Sequence, residues 1–170
     1  MSHLRWLAAL AAVVVALTLQ VSLFPHVAWH GIVPNLCLLV VVAAALTVEA
    51  PFALVLGFVA GLTLDLAPPA DHVAGRWALA LTVAAFLAAR VRQDQKPTAL
   101  AVIGTVAASS FVATSLFALT GVLLKDPTMS ISGLLEVVLV AVVWDVLLTP
   151  FVLPPLMKLF GRLDPRWASA

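Results

Sequence analysis

The sequence contains no tyrosine, a single cysteine and few charges, with 9 Lys+Arg and 8 Asp+Glu among 170 residues. Each shortage excludes something. Cys37, inside an apolar run, has no second cysteine to bridge to, so a disulfide framework and a four-cysteine zinc site within one chain are both ruled out. A net charge of +1 offers no basic footprint for nucleic acid. No polar stretch exceeds a short loop, so no soluble appendage is expected and residues 1–170 read as one integral membrane domain. Without tyrosine, an aromatic belt would rest on Trp6, Trp29, Trp77, Trp144 and Trp167.

Catalytic signatures are also missing. The chain has no H-E-x-x-H, no G-x-S-x-G, no Walker-type loop and no glycine-rich dinucleotide turn. His3, His26, His30 and His72 all fall at or outside the edges of the apolar runs. His26 and His30 are spaced like a ligand pair, but they flank Val27–Trp29 in a loop beside Pro25 without a nearby acid, and read as solvated. An enzyme is not expected, nor is any cofactor or metal.

What is present is apolar: 64% of residues are hydrophobic, and mean hydropathy is +1.16. So few polar residues cannot cover a surface in water, and lipid must be the solvent for most of the exterior. A helix needs ~20 apolar residues to cross the hydrocarbon core. Such runs are Leu7–Phe24, Ile32–Val48, Pro51–Leu66, Trp77–Ala89, Thr98–Leu123 and Ile131–Leu156. The expected fold is therefore all-α, a transmembrane bundle of about six helices. The first run is longer than a signal-peptide core and no small-x-small cleavage site follows Leu23, so it reads as an uncleaved helix. The fourth is short and is expected to begin earlier, near Val73. Glu49 and Ala50 separate the second and third runs, and Pro51 suits the first turn of a new helix. With the N-terminus inside, Arg5, Arg90, Arg92, Lys96, Lys158, Arg162 and Arg166 fall in the cytoplasm, and only Arg76 and Lys125 outside. That bias places both termini in the cytoplasm.

Small residues at i, i+4 spacing mark where transmembrane helices approach closely. Ridges of this kind run through Ala8, Ala12, Ala16 and Gln20; Ala53, Gly57, Gly61 and Asp65; Ala80, Ala84 and Ala88; and Ala101, Thr105, Ser109 and Ala113. With only 8 glycines in the chain, the Gly57–Gly61 pair is the most informative and predicts a packing face. Asp65 continues that ridge to the outer end of its helix, where Arg76 could pair with it across an external hairpin; a polar anchor for a partner or ligand is the alternative role. Glu136 and Asp145 lie nine residues apart, about 900° of helical rotation, so they face opposite sides. Asp145 lies at a depth without lysine or arginine, and Thr105, Ser109, Ser110 and Thr114 are candidates to hold it. Pro150, Pro154 and Pro155 should bend or end the last helix and free backbone carbonyls. Pro34 and Asn35 read as a helix-opening turn, with Pro34 at the first helical position as the plain explanation.

Three of these stretches resemble the bacterial rod shape-determining protein family MreD: Pro34-Asn35-Leu36; the glycine-spaced segment from Gly57 to Asp65-Leu66, followed by a proline-bearing loop and an alanine-rich helix ending in Arg90; and the last helix from Trp144-Asp145 to Pro154-Pro155. The resemblance covers nearly the whole chain. It implies a non-enzymatic inner-membrane scaffold of the cell-wall elongation machinery. The implied partner is MreC, a single-span protein, which meets the RodA glycosyltransferase and a class B penicillin-binding protein, with the MreB filament on the cytoplasmic side. Docking of a partner helix would use Gly57, Gly61, Asp65, Asp145, Pro34 and Asn35, and the basic segment Arg90–Lys96 would face anionic lipid or cytoplasmic partners. A second class is similar in size and helix count: the substrate-binding membrane subunit of an energy-coupling-factor vitamin transporter. There Ala8, Ala12 and Ala16 would dock the coupling subunit, and Trp29, His26, His30, Asp71, His72 and Lys125 would supply the outer polar groups.

Overall fold

The computed structural model describes residues 2–68, 72–92, 97–124 and 131–163, and every helix or strand element named among them is helical. The order is α1 (Ser2–Ser22), a single 3₁₀ turn (Phe24–His26), α2 (Leu36–Thr47), α3 (Ala50–Leu66), α4 (Arg76–Val91), α5 (Ala99–Leu123) and α6 (Ile131–Leu163). The segments 3–26, 99–123 and 133–163 are long and apolar enough to cross a membrane; α2 and α3 are apolar but shorter. The outer faces of the long helices carry large apolar side chains such as Leu7, Phe111 and Phe151, more than half exposed. Water would not tolerate so continuous an apolar surface, whereas a bilayer does.

Helix α2 is the axis of the bundle. Every residue from Leu36 to Leu46 is buried, and α2 meets each of the other five helices. A helix that is apolar on all sides has no solvent face to offer, so it is encased. At ~1.5 Å per residue its 12 residues span about 18 Å. Asn35 opens it, its Oδ1 accepting from the Leu38 N–H at 2.9 Å. Pro34 thus stands one residue before the cap rather than at the first helical position. An extended Val48 and Glu49 turn the chain directly into α3, with Pro51 in its first turn.

Helices α3 and α4 form an antiparallel pair set by glycine. A Cβ on Gly57 would come within 2.7 Å of the Leu81 carbonyl oxygen, and one on Gly61 would fall on the backbone of Trp77 and Ala78. The same register brings the last turn of α4, with Arg90, to the end where Glu49 starts α3. Helix α4 begins at Arg76, not near Val73: Gly75 sits at φ 103°, a left-handed conformation that stops the helix from extending upstream. Helix α6 is not ended by its prolines and continues through Pro150, Pro154 and Pro155 to Leu163. Its prolines stand on the exposed face.

Candidate functional site

Two buried carboxylates organise the bundle, and they lie apart. Asp65, 2% exposed, ends α3. Its Oδ1 receives His72 Nε2 and the Trp77 N–H, both at 3.0 Å, and its Oδ2 receives the N–H groups of Gly75 at 2.8 Å and Ala78 at 3.1 Å. The first N–H groups of a helix need acceptors, and Gly75 has no side chain to supply one. Asp65 therefore caps α4 from a neighbouring helix, with the favourable charge for a helix N-terminus.

The ion pair expected between Asp65 and Arg76 is not the arrangement found. The side chain that meets Asp65 is His72, its Nε2 3.0 Å from Oδ1. Arg76 turns the other way, donating to the Phe117 carbonyl of α5 at 2.7 Å and lying 4.0 Å above the Phe117 ring. Trp77 stacks on that ring at 4.3 Å, and His72 meets it edge-on at 5.1 Å. Gly121 makes room, since a Cβ there would collide with the guanidinium. Phe117 and Gly121 escape a sequence reading because nothing in their spacing points across to α4.

Asp145 of α6 is fully buried. It accepts the backbone N–H of Asn35 at 2.8 Å and the hydroxyl of Ser110 at 2.7 Å, tying the start of α2, the middle of α5 and α6 together. Of the four hydroxyls considered for this role, Ser110 performs it. Thr105 donates instead to the Ala101 carbonyl, and Ser109 and Thr114 are buried nearby in the chain. Glu136 lies on the other side of α6, exposed, with His30 Nδ1 at 2.5 Å. His26 pairs with the Leu23 carbonyl, so the two histidines do not share a ligand position. An open groove of about 450 Å³ lies beside them, lined by Val27, Ala28, Trp29, His30 and Trp144.

A third polar contact closes the opposite end. Arg5 of α1 makes a two-pronged ion pair with Glu49, at 2.6 and 3.0 Å, and lies 4.4 Å over Phe52, which Trp6 also touches. Among the described residues no group of three or more His, Cys, Asp or Glu side chains is placed to hold a metal. The small-residue ridges of α3, α4 and α5 face inward: Gly57 and Gly61 meet α4, and Ala80, Ala84, Ala88, Thr105 and Ser109 are buried, whereas on α1 Ala16 is buried and Ala8, Ala12 and Gln20 are only partly so. Pro34, Asn35, Asp65 and Asp145 likewise sit within this chain's own helix contacts. Asp71, Lys96, Lys125 and Arg166 lie outside the described residues.

Fold and site together define a small, all-helical membrane protein whose buried acids join its own helices. The family model for the rod shape-determining protein MreD matches residues 1–158, and the chain belongs to the MreD family. No curated protein and no solved structure matches it.

Proposed function

We propose that this chain is a non-catalytic scaffold of the bacterial cell-wall elongation machinery in the plasma membrane. It would hold an MreC-like single-span protein and, through it, a RodA-type glycosyltransferase and a class B penicillin-binding protein, with MreB on the cytoplasmic side. The observation that carries this reading is the family match over residues 1–158. The use of the polar residues supports a structural role: Asp65 and Asp145 are each engaged with helix N–H groups or a hydroxyl of the same chain. In this reading all six helices cross the membrane and both termini are cytoplasmic. The cations support that orientation, since Arg5, Arg90, Lys158 and Arg162 gather at the end of the bundle opposite Arg76.

The test is purification from native membranes in mild detergent with identification of the accompanying proteins. An MreC-like single-span protein, with or without a class B penicillin-binding protein, is the expected companion. Paired ATPases with a coupling membrane subunit would replace this reading with a vitamin transporter.

A further inference from the structure

The three prolines of α6 withhold three amide donors from the helix's own hydrogen-bond ladder. Proline has no N–H, so the carbonyl four residues before each one loses its helical donor. In α6 these are the carbonyls of Val146, Pro150 and Phe151. The helix nevertheless continues to Leu163. A local hydroxyl serves a different carbonyl, that of Asp145, through Thr149 Oγ1 at 2.8 Å. Among the described residues no side-chain donor reaches the other three. Helical carbonyls point along the axis toward the residue four ahead, and here those residues, Pro150, Pro154 and Pro155, are all exposed.

Their depth matters. Glu136 and Lys158, both exposed, are 22 residues apart, about 33 Å along the helix, which matches a hydrocarbon core of ~30 Å. The carbonyls without an i+4 donor therefore lie from the middle of that core into the half nearer Lys158, where water cannot meet them. Around them Val143, Leu147 and Phe151 project outward, at 56%, 58% and 76% exposure.

We propose that this face of α6 docks a transmembrane helix of another protein that presents hydrogen-bond donors (Ser, Thr, Asn, Gln or Trp) to these carbonyls. The inference rests on the scaffold reading and names the surface it would use. Electrostatic complementarity selects the occupant: a row of acceptors asks for donors, and lipid tails have none. A second copy fits less well, because the exposed hydroxyls of α1, Thr18 and Ser22, already donate to carbonyls of their own helix at 2.8 and 2.6 Å.

The test places a photo-crosslinking residue singly at Leu147, Phe151, Leu7 and Phe111 in the full chain within its native membrane. It is paired with the variant Pro150→Ala/Pro154→Ala/Pro155→Ala, which gives the carbonyls back their helical donors while favouring the helix. The expected result is one single-span protein crosslinked from 147 and 151 and not from 7 or 111. Its co-purification should fall by about threefold per lost contact, up to about 20-fold, at unchanged amounts of folded chain. Replacing the donor in the crosslinked span should reproduce that loss. A partner found only from Leu7 or Phe111, a second copy at α6, or full complex yield from the triple variant would overturn the inference and leave the scaffold reading standing. Crosslinks to lipid alone from all four positions would overturn both.

Discussion

Replacing Asp145 separates the two things a buried acid can supply, acceptor atoms and charge. Asp145→Asn keeps an acceptor for the Asn35 N–H and turns its amide toward Ser110, whose hydroxyl can accept as readily as donate. Its cost should stay below about 1 kcal/mol. Asp145→Leu removes both acceptors. Hydrogen bonds between membrane helices average ~0.6 kcal/mol, because the unfolded chain in lipid also finds partners. Ser110 can turn to a carbonyl of its own helix, so its loss stays near that average. The Asn35 N–H is fixed at the start of an encased helix and cannot rotate away, and a buried unmet donor costs ~1–3 kcal/mol. Together the loss should reach about 2–4 kcal/mol, with leucine's bulk adding to it. The assay is equilibrium unfolding in lipid–detergent micelles, run as a double-mutant cycle with Ser110→Ala. The coupling should be about 0.5–1.5 kcal/mol. Wild-type stability in Asp145→Leu would refute the claim that this carboxylate joins three helices. Equal damage from asparagine and leucine would show that the charge itself, and not the acceptors, is what the site needs.

Other positions give contrasting outcomes. Gly61→Ala should reduce the folded fraction in detergent severely, because its methyl falls on the α4 backbone, whereas Gly104→Ala, with open space around it, should be neutral or stabilise by up to about 1 kcal/mol through helix propensity. Asp65→Ala should cost about 2–4 kcal/mol by uncapping α4 and stranding His72; hydrogen exchange of the Gly75, Trp77 and Ala78 amides should accelerate well before that of α2, and uniform exchange would contradict the capping role. Arg5→Glu should loosen α1 by about 1 kcal/mol, and adding Glu49→Arg should recover part of it, read as restored protease resistance of the first helix.

The pattern of small residues told which faces pack but not against what. Gly57 and Gly61 lie on a close-packed face as their spacing predicts, yet the helix opposite is α4 of the same chain, and four-residue periodicity carries no address for a partner. Asp145 was legible as an acid in need of hydrogen bonds from its depth alone. The choice of Ser110 over Ser109 depends on helix rotation, which an evenly apolar α5 does not reveal. Asp65 was misread for a physical reason. Opposite charge and nearness in sequence favour Arg76, but Gly75 leaves the first amides of α4 without a cap, and they claim the carboxylate. Arg76 instead occupies the space at Gly121. The Arg5–Glu49 contact joins residues 44 positions apart, a separation over which charge alone gives no register. The prolines of α6 lie on its exposed face and the helix continues through them, so composition alone does not give its end.

The encasement of α2 has a consequence for how the chain is made. A helix of about 18 Å cannot by itself match a hydrocarbon core of ~30 Å, and Asn35 at its head waits for Asp145, 110 residues later. Until α6 emerges from the ribosome, one wall around α2 is missing. The nascent protein must therefore carry an unfinished centre through most of its synthesis, closing it last. Chains cut short before Asp145 should be cleared by membrane proteases rather than accumulate as smaller bundles.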